Sequence, residues 1–175
     1  MQRADIQLEA LSILPVHLFH QKWFLLAAGD FLSGDYNCMT VSWGALGEIW
    51  NKPLALVVVR PTRYTFEIME RSGGFTLCAF PEAQRKKLSY CGSHSGREGN
   101  KAAAAGLTPI ASRFVTAPAF DEAELILECR KTYFSDLDPT HFLDPSTESH
   151  YPAKDYHRMY FGEIVAASGA EGYGR

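Results

Sequence analysis

The sequence has no C-x-x-C pair, no block of like charge, no internal repeat and no apolar run near the ~18 residues that a membrane-crossing helix needs. Each absence excludes something. Cys38, Cys78, Cys91 and Cys129 are too widely spaced for a zinc ribbon or a disulfide scaffold, and read as reduced, mostly buried thiols of a cytoplasmic protein. No transmembrane helix is expected, and the first ten residues lack a charged-then-apolar signal pattern. The net charge is only −3, with acids and bases mixed, which argues against a nucleic-acid or membrane surface. The Rossmann G-x-G-x-x-G, the Walker spacing, the helical H-x-x-x-H and the G-x-S-x-G elbow are also missing.

What remains is ordinary globular material. The chain of 175 residues, 46% apolar and 21% charged, reads as one domain over 1–175. A domain of this size buries roughly 70% of the surface its unfolded chain exposes, enough for a core without staples.

Apolar patterning gives more strands than helices. Ile13–Phe19, Trp23–Ala28, Phe75–Phe80, Ala123–Tyr133 and Arg158–Ala167 read as strands. Leu54–Arg60, β-branched and continuous, reads as a strand buried on both faces. Gly29-Asp30 and Gly34-Asp35 punctuate a loop, and Pro53 ends another. Helices are expected at Arg63–Arg71, capped by Thr62 and stopped by Ser72-Gly73-Gly74, from Pro81 to about Cys91, and at Lys101–Gly106 after Asn100. Gly92–Gly99 and Asp136–Tyr156 read as loops, and Ser168–Arg175 as a mobile tail. Helices inserted at a few places in a run of strands predict a mainly β fold, a β-barrel with helical insertions.

Three stretches could carry chemistry. Tyr36–Trp43 alternates, with Asn37, Met39, Val41 and Trp43 on one face and Cys38, Thr40 and Ser42 on the other, as in a half-buried sheet or the wall of a ligand site. Arg60-Pro-Thr-Arg-Tyr-Thr65 places two guanidinium groups and hydroxyls where a strand passes into a helix, which suits either a phosphate cradle or a plain helix start with surface arginines. Ser93-His-Ser-Gly-Arg97 with Lys101 is either a second anion-binding loop or a polar surface loop. Asp136, Asp138, His141, Asp144, His150 and His157 invite a metal reading, but without a recognised ligand spacing the expectation is no metal site. Ser93 beside His94 invites a hydrolase reading, which lacks its elbow.

Taken in order, Asn37-x-Met-Thr-x-Ser-Trp43, Arg60-Pro-x-Arg-Tyr-Thr65, Ser72-Gly-x-Phe-Thr76 and Ser95-Gly-Arg97 with Lys101 resemble the flavin reductase-like, flavoredoxin-type branch of the FMN-binding split-barrel proteins. The match runs from about Trp23 to Phe161. The resemblance implies a six-stranded Greek-key split β-barrel, a homodimer and FMN near the subunit interface. It implies that Asn37, Met39, Thr40, Val41, Ser42 and Trp43 line the flavin ring, with the Thr40 and Ser42 hydroxyls at its polar edge. Arg60, Arg63 and Thr65 would hold the phosphate and Tyr64 would join the cofactor site, with Ser95, Gly96, Arg97 and Lys101 as further ribityl or phosphate contacts. The family pattern expects a small or neutral residue at His94, which would here fill part of a nicotinamide pocket. The activity implied is an NAD(P)H-dependent flavin reductase. The alternatives are a flavoredoxin-like carrier reduced by a redox protein partner, and a binding barrel without cofactor. Flavin chemistry asks the protein mainly for position and hydrogen bonds, which agrees with the lack of an acid–base pair.

Overall fold

Strands dominate the computed structural model, which describes residues 1–174. They are β1 (Ala4–Ile6), β2 (Phe24–Asp30), β3 (Asp35–Val41), β4 (Gly44–Ile49), β5 (Lys52–Val59), β6 (Gly74–Ala79), β7 (Pro109–Ile110), β8 (Ala119–Phe120), β9 (Leu125–Asp136) and β10 (Arg158–Gly169). The helices are α1 (Pro15–His17), α2 (Tyr64–Arg71), α3 (Arg85–Ser93) and α4 (Lys101–Ala104).

The main sheet is antiparallel in the order β3-β2-β6-β9-β10-β5-β4, with β1 added to β10. The strand at one end of this order, β3, runs through Ser42-Trp43 into the strand at the other end, β4. The two edges are joined by the chain but not by a hydrogen-bonded ladder, so the barrel keeps an open seam at this corner. Register shifts at Phe161/Gly162 and Ile164/Ala166 bend the long β9–β10 pair.

Strand periodicity places the core. Phe24, Leu26 and Ala28 point into the barrel with Val41, Val57, Val59, Phe75, Leu77, Leu127 and Tyr160, and Ile68 and Met69 of α2 join them. Six strands, β2, β3, β5, β6, β9 and β10, supply this buried interior. Leu25, Ala27, Cys38, Cys78 and Ile126 point the other way, into a second apolar layer with Leu88 and Cys91 of α3 and Ala102 of α4. β2 is therefore covered on both faces.

Several expectations are corrected. Ile13–Phe19 is not a strand: Pro15 opens α1, and an irregular helical turn over Leu18–Lys22 buries Leu18 and Phe19. Gly44–Ile49 is a strand that its two glycines and exposed pattern had concealed, and Pro53 lies within β5 rather than ending a connection. β1 was not foreseen, and Gly29-Asp30 belongs to β2 rather than to a loop. β5 alternates: Ala55, Val57 and Val59 are buried, while Leu54, Leu56 and Val58 stay half-buried. Thr62 does not cap α2; Arg63 holds the N-cap position without a side-chain bond. The tail is docked through residue 174, with Gly174 bridged to Leu11 and the Tyr173 hydroxyl donating to Glu124 Oε1 at 2.6 Å. Arg175 lies outside the described residues.

Candidate functional site

The seam opens on two adjoining clefts. The first, about 250 Å³, is lined by Met39, Thr40, Val41, Ser42, Trp43, Val58, Arg60, Arg63 and His157. The second, about 140 Å³, is lined by Met39, Thr62, Arg63, Tyr64, Thr65, Ser93, His94, Ser95, Gly96 and Lys101. Met39 and Arg63 belong to both, so the three stretches singled out in the sequence meet in one place.

Local chemistry fixes each wall. The alternation along β3 holds: Asn37 faces α2 and donates from Nδ2 to Thr65 Oγ1 at 2.9 Å. Thr40 faces α3 and donates to the Leu88 carbonyl at 2.5 Å. The Thr40 proton is thus committed to the fold, and its oxygen remains an acceptor. Gly96 lies so close to β3 that a Cβ there would stand 2.2 Å from Asn37 Oδ1, so any side chain at 96 would displace Asn37. The Ser95 hydroxyl accepts from the Arg97 backbone at 3.2 Å and starts the turn that brings Gly96 to Asn37.

Two of the four candidate cations are already neutralised. Arg60 Nη1 pairs with Asp155 Oδ1 at 2.7 Å, and Nη2 donates to the His150 carbonyl at 2.8 Å. Arg97 pairs with Glu67. Arg63 and Lys101 have no carboxylate partner among the described residues. Arg63 donates weakly to the Gly92 carbonyl at 3.3 Å. Lys101 is 7% exposed and donates only to the carbonyls of Cys91 at 2.8 Å and His94 at 3.1 Å. Burial lowers the Lys101 pKa, and the nearby Arg63 guanidinium lowers it further against the opposing pull of Cys38 and Cys91.

The segment 136–156, expected as a loop, contains 3₁₀ turns at Pro139–His141 and Pro145–His150, and its far end packs against Trp43 at the first cleft. Trp43 lies 5.2 Å from the His150 ring and 5.3 Å from the His157 ring, centroid to centroid. His157 Nδ1 is 2.9 Å from the Tyr151 hydroxyl. Burial, then the Arg60 and Arg63 charges, lower the His157 pKa to about 4 despite Asp155, so this imidazole is neutral at physiological pH. His157 is the site residue that the sequence reading passed over by grouping it with a metal loop. Val58 was also missed, and no spacing would have found it; Thr62 lay within the Arg60–Thr65 stretch but was assigned to the helix cap.

The other readings of these residues meet the geometry less well. Asp138 and Asp144 each cap a turn, and Asp136 pairs with Arg158. No three His, Cys, Asp or Glu side chains gather as metal ligands among the described residues. Ser93 Oγ lies 3.1 Å from His94 Nδ1, but that nitrogen also faces the Tyr90 carbonyl at 3.1 Å, and the ring stacks on Tyr90 at 3.8 Å rather than being oriented by an acid. No helix among the described residues is long and apolar enough to cross a membrane.

A split barrel with its seam cleft between β3 and the α2 N-terminus defines the class: the fold is that of the flavin reductase-like proteins. Residues 16–174 match the family described as flavin reductase like domain, and the chain belongs to that family. It is similar to a flavoredoxin from Methanosarcina acetivorans, at 26% identity over 96% of this chain and 73% of that one, with a TM-score of 0.66. The flavoredoxin of Desulfovibrio vulgaris (Miyazaki F) is 22% identical over 92% and 73%, with a TM-score of 0.67. An FMN-binding domain of a flavin reductases-like enzyme from Shewanella baltica OS155 is 20% identical over 96% and 77%, with a TM-score of 0.69. No curated protein matches the sequence.

Proposed function

We propose that the chain is an FMN-dependent oxidoreductase reduced by NADH or NADPH, with the flavin seated across the two clefts. The observation that carries this reading is the pair of cations without carboxylate partners, Arg63 and Lys101, at the second cleft. A buried ammonium without a counter-ion is unfavourable unless a ligand compensates it. The phosphate of FMN is such a ligand, and the strand from Met39 to Trp43 offers the adjoining wall for a flat ring. Bound flavin supplies reversible acceptance of a hydride from a nicotinamide. The chain supplies the rest. Arg63 and Lys101 neutralise the phosphate, Asn37 fixes β3 against α2, and Trp43 with the 137–157 segment shields the first cleft. The neutral His157, with Nδ1 held by Tyr151, offers its other ring nitrogen as a hydrogen-bond partner.

The same cleft would serve a flavoredoxin-like carrier reduced by a protein partner, a reading favoured by the two similar structures that bear that name. An anaerobic mixture of FMN-loaded protein with NADH or NADPH separates the two: bleaching of the flavin band supports the enzyme, and persistence of the band supports the carrier.

The reading includes a homodimer. Leu56, Phe161 and Tyr133 are cross-strand neighbours on the outer face of β5, β10 and β9. Trp50 packs edge-on against Tyr133, and the two are 58% and 50% exposed. An aromatic patch of this kind suits a self-complementary interface, and a second copy would cover the face of β5 that this chain leaves half-buried. Light scattering should give twice the chain mass, and Tyr133→Glu should shift it to the monomer; an unchanged dimer would remove this face from the interface. Four free, buried cysteines suit a cytoplasmic location.

A further inference from the structure

Behind the cleft wall lies a second group of reactive side chains that the flavin reading does not use. Cys38 points from β3 into the outer apolar layer, where it meets Cys91 of α3. Both thiols are free and almost fully buried in this layer, on the faces of β3 and α3 that pack against each other. The contact is clamped on either side. Two residues beyond Cys38, Thr40 donates to the carbonyl of Leu88, one turn before Cys91. A Cβ on Gly92, the residue after Cys91, would lie 3.2 Å from Thr40 Cβ. The Lys101 ammonium donates to the Cys91 carbonyl at 2.8 Å, and Cys91 Sγ lies 4.0 Å from the Lys101 carbonyl. A pocket of about 200 Å³, lined by Cys38 with Asn37, Tyr64, Gly96, Asn100 and Ala102, reaches the Cys38 member of this pair.

We propose that Cys38 and Cys91 are a redox-active dithiol that a hydroperoxide converts to a disulfide, stapling β3 to α3 behind the cleft. Thiolate character is needed for the first step. The Cys38 thiol, helped by the Lys101 charge, lowers the pKa of Cys91 against the effect of burial, while Cys91 and burial push the Cys38 thiol up. Hydrogen peroxide is small enough for the pocket at Cys38. The thiolate sulfur attacks one peroxide oxygen, the O–O bond breaks, and the leaving hydroxide takes a proton to become water. The remaining thiol then attacks the sulfenic sulfur; the S–S bond forms, the S–O bond breaks, and a second water leaves. Two thiols and one peroxide give one disulfide and two waters. Burial raises the Cys78 pKa to about 12 despite the Arg3 charge and pushes Cys129 up as well, which keeps both as inert thiols.

The proposal is independent of the flavin reading and is tested on the full chain with or without FMN. Folded protein is treated with a small excess of hydrogen peroxide, quenched, unfolded in an alkylating reagent, digested and mapped by mass. The expected result is a Cys38–Cys91 linked peptide that dithiothreitol releases, with Cys78 and Cys129 recovered alkylated. Recovery of Cys38 and Cys91 as alkylated thiols, their oxidation to sulfinic acid without linkage, or linkage through Cys78 or Cys129 would each overturn it. Cys38→Ser provides a second test: lacking the resolving thiol, Cys91 should advance to sulfinic acid under the same dose, and an unoxidised Cys91 in a folded variant counts against the pair. The mapping of the unmodified chain decides the matter if that variant does not fold.

Discussion

Replacing Arg63 by alanine separates a phosphate anchor from a surface charge. Among the described residues, the Arg63 guanidinium makes one long hydrogen bond, to the Gly92 carbonyl at 3.3 Å, so its loss should barely affect the fold. A charge-assisted hydrogen bond to phosphate is worth roughly 1.5–3 kcal/mol, which predicts an FMN Kd weakened about 10- to 150-fold. Arg97 is the control. Its guanidinium is 48% exposed and already committed to Glu67. An exposed pair contributes about 0–1 kcal/mol, so Arg97→Ala should change the FMN Kd by less than about 5-fold. Riboflavin, which lacks the phosphate, completes the cycle: the parent protein and Arg63→Ala should bind it equally. The assay is a fluorescence titration of both ligands at fixed ionic strength, because exposed charges are screened by salt. An Arg63→Ala protein that keeps its FMN affinity, or that loses FMN and riboflavin to the same degree, refutes the assignment.

Two further outcomes follow from the geometry. The folded His157 pKa of about 4 lies below the ordinary histidine value of 6.5, so the unfolded chain binds more protons between these values. Stability from this residue is therefore present above pH 6.5 and is lost as the pH falls toward 4; melting curves should show the fall, and His157→Gln should flatten it. At Gly162 an added Cβ would meet Phe75 Cζ at 2.6 Å and Cys129 Cβ at 2.9 Å, inside the barrel. Gly162→Ala should destabilise by about 1–3 kcal/mol in denaturant titration, and an unchanged midpoint would contradict the packing.

Much of this architecture could be read from the chain. The apolar runs gave β2, β5, β6 and β9, and the alternation from Asn37 to Val41 gave the orientation of β3. Two elements were hidden for physical reasons. β4 is exposed along most of its length, so no apolar pattern marks it, and the two-residue turn that joins it to β5 uses Trp50 and Asn51 at φ 55 and 56. Leu18 and Phe19 look the same in a buried strand or a buried helical turn, and Pro15 was the only local sign of the latter. The site was legible as three stretches, but not the charge balance within it. Arg60 meets Asp155 across 95 residues and Arg97 meets Glu67 across 30, pairings that only the tertiary fold creates. The distinction between Arg63 and Lys101 and the two neutralised arginines therefore belongs to the structure. So does the place of His157 beside Trp43, which the crowd of acids and histidines around it had disguised.

The central claim is that the seam cleft holds FMN, and a thermal melt with added FMN tests it most directly. At about 100 times the Kd, a ligand that binds only the folded state adds about 2.7 kcal/mol, which for a domain of this size raises Tm by roughly 5–10 °C. The account predicts that rise, smaller in Arg63→Ala, together with a flavin absorption band that differs from free FMN. A melting curve unmoved by millimolar FMN, with a spectrum identical to that of the free flavin, would contradict it.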